Sequence, residues 1–102
     1  MKYQEELAAC TECIASTNVC LIEHMGEKEM KTCHQLCLDC LSVCTACVQL
    51  MARNSDYLQQ VTRVCTDLCN QCAEECDKFD SDVCKDCAKA CRRCAEACGD
   101  IS

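Results

Sequence analysis

Along this chain a small apolar residue returns every three or four positions, and the residues between are mostly polar. The stretch CHQLCLDCLSVCTAC at 33–47 carries the beat most plainly, with cysteine at 33, 37, 40, 44 and 47. It returns as CTDLCNQCAEEC at 65–76 and as CKDCAKACRRCAEAC at 84–98, with a shorter form, CTECIASTNVC, at 10–20. Steps alternating between three and four average about 3.5 residues, the period of an inward seam on an α-helix. Each run therefore predicts one helix with a row of cysteines down one face.

The punctuation between runs sets the boundaries. Gly26 reads as a helix stop, Asn54 or Ser55 as the cap of a third helix, and Ser81 with Asp82 as the cap of a fourth. Helices are predicted near 3–25, 27–53, 55–79 and 82–99, and no proline interrupts any of them. Short connections make consecutive helices antiparallel neighbours. The predicted fold class is all-α, an antiparallel up-down four-helix bundle with a cysteine-lined core, about 30–36 Å long. The domain is expected to span the whole chain, 1–102. The four segments vary a C-x₂-C-x₃-C theme, but they are too few, and alternate in direction, to be a solenoid.

Extending the stripes past their last cysteines distinguishes the two ends. At one end the positions become Leu7, Met51, Leu58 or Val61, and Ile101, an apolar plug. At the other they become His24, Met30 and Phe79, with His34 one turn from Met30 and Met25 beside His24. That end, the mouth, offers nitrogen and thioether groups suited to soft or borderline metals. The third and fourth helices carry most of the outward charge. The first two keep a second apolar set, Leu7, Ile14 and Leu21 with Leu36, Val43 and Leu50. These residues are expected either to flank the core or to form a subunit interface.

Composition changes the picture in two ways. Only three aromatics and no tryptophan stand beside seventeen cysteines in 102 residues, so the core lacks large side chains. Limited stability is expected unless metal or association adds to it. The net charge of −7 argues against nucleic acid and anionic membrane surfaces, and the ten Lys and Arg form no basic stripe. Glutamates occupy the N-terminal stretch where a signal peptide needs an apolar run, and no stretch is expected to reach membrane-spanning length. A cytoplasmic location follows as an expectation, and with it reduced thiols.

Four uses of the thiols compete. Cysteine is often a small buried hydrophobe, but seventeen on the inner stripes exceed what packing needs. A disulfide framework leaves one thiol over, and helix neighbours three or four apart hold their Cβ atoms about 5–6 Å apart, beyond disulfide reach. Catalysis needs an exposed, electropositive cysteine with a base nearby, which the stripes do not offer, so no enzyme activity is expected. Metal binding is what the spacing favours, because thiolates one turn apart can close on one ion and facing helices can supply more. Iron–sulfur signatures cluster in loops rather than along helices. Zinc wants closed tetrahedra, and Thr17 breaks the first stripe where a fourth ligand would stand. Cu(I) accepts two or three thiolates and bridging sulfur, so continuous stripes suit it best, with capacity approaching about one ion per cysteine.

These residues resemble the bacterial copper storage proteins, specifically their cytosolic branch, across about 10–100. The resemblance rests on repeated C-x₂-C and C-x₃-C stripes on four helices, with His and Met at one mouth. It implies high-capacity Cu(I) storage, multiple ions per chain, and association into a homotetramer. The implied ligands are Cys10, Cys13 and Cys20 from the first helix and Cys33, Cys37, Cys40, Cys44 and Cys47 from the second. The third gives Cys65, Cys69, Cys72 and Cys76; the fourth gives Cys84, Cys87, Cys91, Cys94 and Cys98. His24, His34 and Met30, with Met25 beside them, are implied as the way in. Thr17 departs from the unbroken stripe.

Overall fold

The computed structural model describes every residue, Met1–Ser102. Four helices make up the chain: α1 (Gln4–Glu23), α2 (Lys31–Ala52), α3 (Leu58–Cys76) and α4 (Asp82–Ile101), with a 3₁₀ turn at Lys28–Met30 leading into α2. Backbone contacts join α1 to α2, α2 to α3, α3 to α4 and α4 back to α1, while the diagonal pairs stay apart. This is the up-down four-helix bundle the periodicity predicts, 39 × 18 × 18 Å in extent.

The cysteines occupy the interior as the three-four beat requires. Twenty-six residues are buried and all seventeen cysteines are among them, none more than 1% exposed. Alanine fills the seam where two helices come closest. Ala73 on α3 and Ala88 and Ala95 on α4 are buried in the same core, and the Thr66 hydroxyl crosses to donate to the Ala95 carbonyl at 3.3 Å. Met51 and Leu58 close the plug end, with Leu7, Val61 and Ile101 half-buried around them. Leu58, rather than Val61, is the fully buried member from α3.

Helix ends depart from the sequence reading in instructive ways. Gly26 stops α1 with φ +86°, a backbone conformation that favours glycine. The chain then runs extended at Glu27 and tightens into the 3₁₀ turn, so α2 begins at Lys31 rather than at 27. No residue at that start caps α2 with its side chain. Asn54 does not cap α3. It takes φ 56° and ends α2, its N–H donating to the Met51 carbonyl while the Ser55 N–H donates to Leu50. That pair of bonds is a Schellman stop. The Ser55 hydroxyl instead accepts from the Tyr57 N–H within the turn, and α3 starts only at Leu58. At its far end α3 stops at Cys76, three residues short of the predicted 79. Ser81 caps α4 as expected, accepting from the Cys84 N–H at 3.4 Å. That helix passes through Gly99 to Ile101.

One further expectation needs correction, and another resolves toward one of its two alternatives. Lys28–Ala52 is long and apolar enough to cross a membrane, because its five cysteines count as apolar. Those cysteines all face the bundle core. The second apolar set, Leu7, Ile14, Leu21, Leu36, Val43 and Leu50, is half-buried against that core and so flanks it. The apolar side chains left exposed are others, notably Val19 and Ile22 on α1, Leu38 on α2 and Val64 on α3.

Candidate metal centre

Antiparallel pairing converts four rows of cysteines into five layers stacked along the bundle axis. From the plug end, the register sets Cys10, Cys47, Cys65 and Cys98 in the first layer and Cys13, Cys44, Cys69 and Cys94 in the second. The third holds Cys40, Cys72 and Cys91, with Thr17 in the place of a fourth sulfur. The fourth is Cys20, Cys37, Cys76 and Cys87, and the fifth, at the mouth, has Cys33 and Cys84 with His24 and Phe79.

Sulfur spacing within this stack is that of a metal site. A metal–sulfur bond of about 2.3 Å sets sulfurs roughly 4.0 Å apart around a trigonal ion and roughly 3.8 Å apart around a tetrahedral one. Cross-helix Sγ–Sγ distances run from 3.3 Å for Cys33–Cys76 through 3.6 Å for Cys37–Cys72 to 3.9 Å for Cys44–Cys69. The layers are not flat squares. Cys44 and Cys94 stand on diagonally opposed helices, yet their sulfurs are 3.6 Å apart, closer than Cys44 to Cys69 next door.

Four groups of cysteines keep all their sulfurs within 4.8 Å of one another: Cys10/65/94/98, Cys13/44/69/94, Cys20/37/76/87 and Cys72/87/91. Cys94 belongs to two groups and Cys87 to two others, so a thiolate at either position is placed to bridge ions. All seventeen thiols are free.

The protonation of the array follows from burial and from S–H···S contacts. Burial pushes the Cys84 thiol above its ordinary value. Contacts with Cys10, Cys13, Cys44 and Cys65 likewise raise Cys94, whereas hydrogen bonds from Cys10, Cys44 and Cys47 lower Cys65. Seven of the seventeen sulfurs are lowered in this way by accepting from neighbours, and the other ten are raised. No cationic side chain helps: all ten Lys and Arg are exposed.

Thr17 is fully buried but does not point a free oxygen at its layer. Its hydroxyl lies 2.8 Å from the Cys13 carbonyl and 3.1 Å from that of Ile14, one turn back on α1, and donates there.

At the mouth the histidines differ. His24 Nδ1 donates to the Glu27 carboxylate at 2.5 Å, which leaves Nε2 to accept from the Ser81 hydroxyl at 2.9 Å. His24 thus ties the end of α1 to the cap of α4. His34 Nε2 is buried and has no partner. Met30 is 2% exposed, inside the core, while Met25 is 71% exposed on the loop. The Ser81–His24 tie joins positions far apart in sequence, and no local pattern pointed to it. Thr62, buried at the plug beside the Ser102 hydroxyl, was likewise missed, because threonine is not an apolar residue in a stripe.

Comparison with known proteins agrees with this geometry. The sequence profile of the copper storage protein (Csp) family matches residues 1–102. The cysteine-rich protein YhjQ of Bacillus subtilis (strain 168), itself uncharacterized, is 34% identical over 79 residues, which is 74% of this chain and 73% of its own. The solved structure of the Cu(I)-bound copper storage protein BsCsp3 is similar, with a TM-score of 0.94 and 31% identity over 99% of this chain and 98% of its own. The apo form of copper storage protein 3 from Bacillus subtilis gives a TM-score of 0.91 at 32% identity, covering 96% of each chain. With the profile spanning every residue, the chain belongs to the copper storage protein family.

Proposed function

We propose that this bundle is a high-capacity Cu(I) store in which the core thiolates are the ligands. The observation that carries the reading is the array itself: seventeen free, fully buried thiols with cross-helix sulfur distances suited to trigonal and bridged coordination. Charge decides between copper and zinc. A zinc ion on four thiolates leaves a net charge of −2, and the core has no cation to offset it. The helical backbone N–H groups are already committed within their helices. Cu(I) bridged by thiolates approaches neutrality as the ratio of copper to sulfur approaches one. Filling toward seventeen ions therefore lowers the charge density of the core rather than raising it. This role needs no catalytic group.

Several further features belong to the same reading. His34 and Met30 at the mouth serve as the way in, supported by the unpartnered His34 Nε2 and by Met30 in the core above the last thiols. His24 joins them once Ser81 releases its Nε2. Exposed Val19, Ile22 and Leu38 support association through the α1–α2 side into a homotetramer. A set of free thiols supports a reducing, cytoplasmic setting. The net charge of −7 supports a protein that works without nucleic acid or membrane partners.

Anaerobic titration of the reduced protein with Cu(I) against a strong competing chelator tests the function. Tight uptake of well over ten ions, nearing the seventeen thiols, with pre-bound zinc displaced, is expected. Saturation at three or four ions, or zinc that resists displacement, would assign the thiols to a zinc buffer.

A further inference from the structure

Resting on the storage reading above, the layer sequence carries a second consequence. From plug to mouth the layers hold four, four, three, four and two sulfurs, seventeen in all, and the three-sulfur layer is the one that contains Thr17. The close sulfur groups divide at that layer. Two groups, joined by Cys94, lie wholly within the two plug-side layers, and the other two, joined by Cys87, lie in the third and fourth layers. None of the four groups combines a third-layer sulfur with a plug-side sulfur.

Contact across that boundary is thinner. Cys91 reaches Cys13 at 3.7 Å, and Cys40, in the same layer as Cys72 and Cys91, neighbours Cys69 on the plug side. On the α1 side there is no thiol between Cys13 and Cys20, and the Thr17 hydroxyl, donating to its own backbone, does not stand in for one. An ion moving along a stripe keeps at least two sulfurs as it exchanges ligands. Elsewhere it can draw on three or four close sulfurs; at this boundary it has a pair.

We propose that Thr17 forms a waist dividing the store into a plug-side compartment of two layers and a mouth-side compartment, with Cys40 and Cys91 as the relay that passes Cu(I) between them. Copper near the mouth then exchanges readily, and copper in the eight plug-side thiolates forms a slower reserve. Residue 17 sets the rate of exchange between them without being a ligand.

The test follows removal of copper from the fully loaded, full-length protein by a strong Cu(I) chelator. Two phases are expected, the slower holding close to the share of eight in seventeen thiols. Thr17→Cys, similar in size, completes the layer and should accelerate the slow phase about tenfold, a barrier change of about 1.4 kcal/mol. The double variant Cys40→Ser/Cys91→Ser should slow that phase, while Cys47→Ser/Cys98→Ser, removing the same number of thiols from the first layer, should shrink the share of copper released in it rather than slow it. Serine at these positions can satisfy its hydroxyl as Thr17 does, and circular dichroism checks that each variant is helical. A single phase in the unsubstituted protein, or a slow phase indifferent to both Thr17→Cys and the relay variant, overturns the waist. Total copper bound, measured on the same samples, separates the two claims: normal capacity with a single phase removes only the waist, whereas low capacity removes the storage reading.

Discussion

The two ends of the bundle are made by the same four helices, yet they solve opposite problems. At the plug, the stripes simply continue in larger apolar residues: Met51 and Leu58 are almost fully buried, with Leu7, Val61 and Ile101 packed beside them. Ordinary packing holds the helices together there. At the mouth the stripes end in polar chemistry, with His24 held between Glu27 and Ser81, His34 Nε2 unpartnered, and only two cysteines in the last layer. The bundle is closed by hydrophobic burial alone at one end, and at the other by hydrogen bonds beside Met30 and Phe79. Hydrogen bonds can open locally at modest cost, about 1 kcal/mol each; a packed plug cannot.

Hollowing the plug should have the largest effect. Met51→Ala should cost the apo protein about 2–5 kcal/mol, as large-to-small changes in a core do, read as a lower urea midpoint. The copper-loaded form should lose less, since bound ions join the helices independently of the plug.

Alkaline pH has a smaller effect, seen most simply at the mouth. Burial raises the Cys84 thiol above the unfolded value of about 8.5, so the folded chain keeps a proton that the unfolded chain has lost. Apo stability should be unaffected at pH 7 and fall as pH climbs beyond about 8.5, by up to about 1.4 kcal/mol per pH unit for each thiol so held. Urea unfolding at a series of pH values measures it. The same protonation requires copper loading at neutral pH to release protons, which a lightly buffered titration counts.

Ser81→Gly should have the smallest effect. Glycine costs an N-cap only a few tenths of a kcal/mol relative to serine, so α4 should remain in place. The His24 Nε2 tie is lost, and copper uptake should quicken while capacity stays the same. Unchanged uptake kinetics would show that the tie does not limit access.

Much of this was legible from the cysteine beat alone. Steps of three and four can place seventeen side chains together only along helices, and every one of them is buried. Thr17 was visible as a gap, because it interrupts that beat. The helix ends were harder. Asn54 and Ser55 have the chemistry to start a helix or to end one, and the choice fell to the left-handed backbone at Asn54 and its bonds back to α2. Where the flanking apolar residues settle depends on how neighbouring helices rotate against each other, which a single helix's pattern does not encode. At the mouth the pattern names His24, Met30 and His34 by position but not their surroundings: His34 lines an outer cleft with Lys31, Gln35 and Leu38. Whether an imidazole is free depends on what arrives from another helix, and Ser81 reaches His24 only because α1 and α4 are neighbours in space.

The most direct test of the central claim is diffraction from copper-loaded crystals at wavelengths on either side of the copper absorption edge, which locates every copper by its anomalous signal. The expected map has a column of peaks on the bundle axis, through all five layers, each about 2.3 Å from two or more cysteine sulfurs. Peaks confined to the outer surface or to the His24 and His34 region, with the second and fourth layers empty, would contradict it.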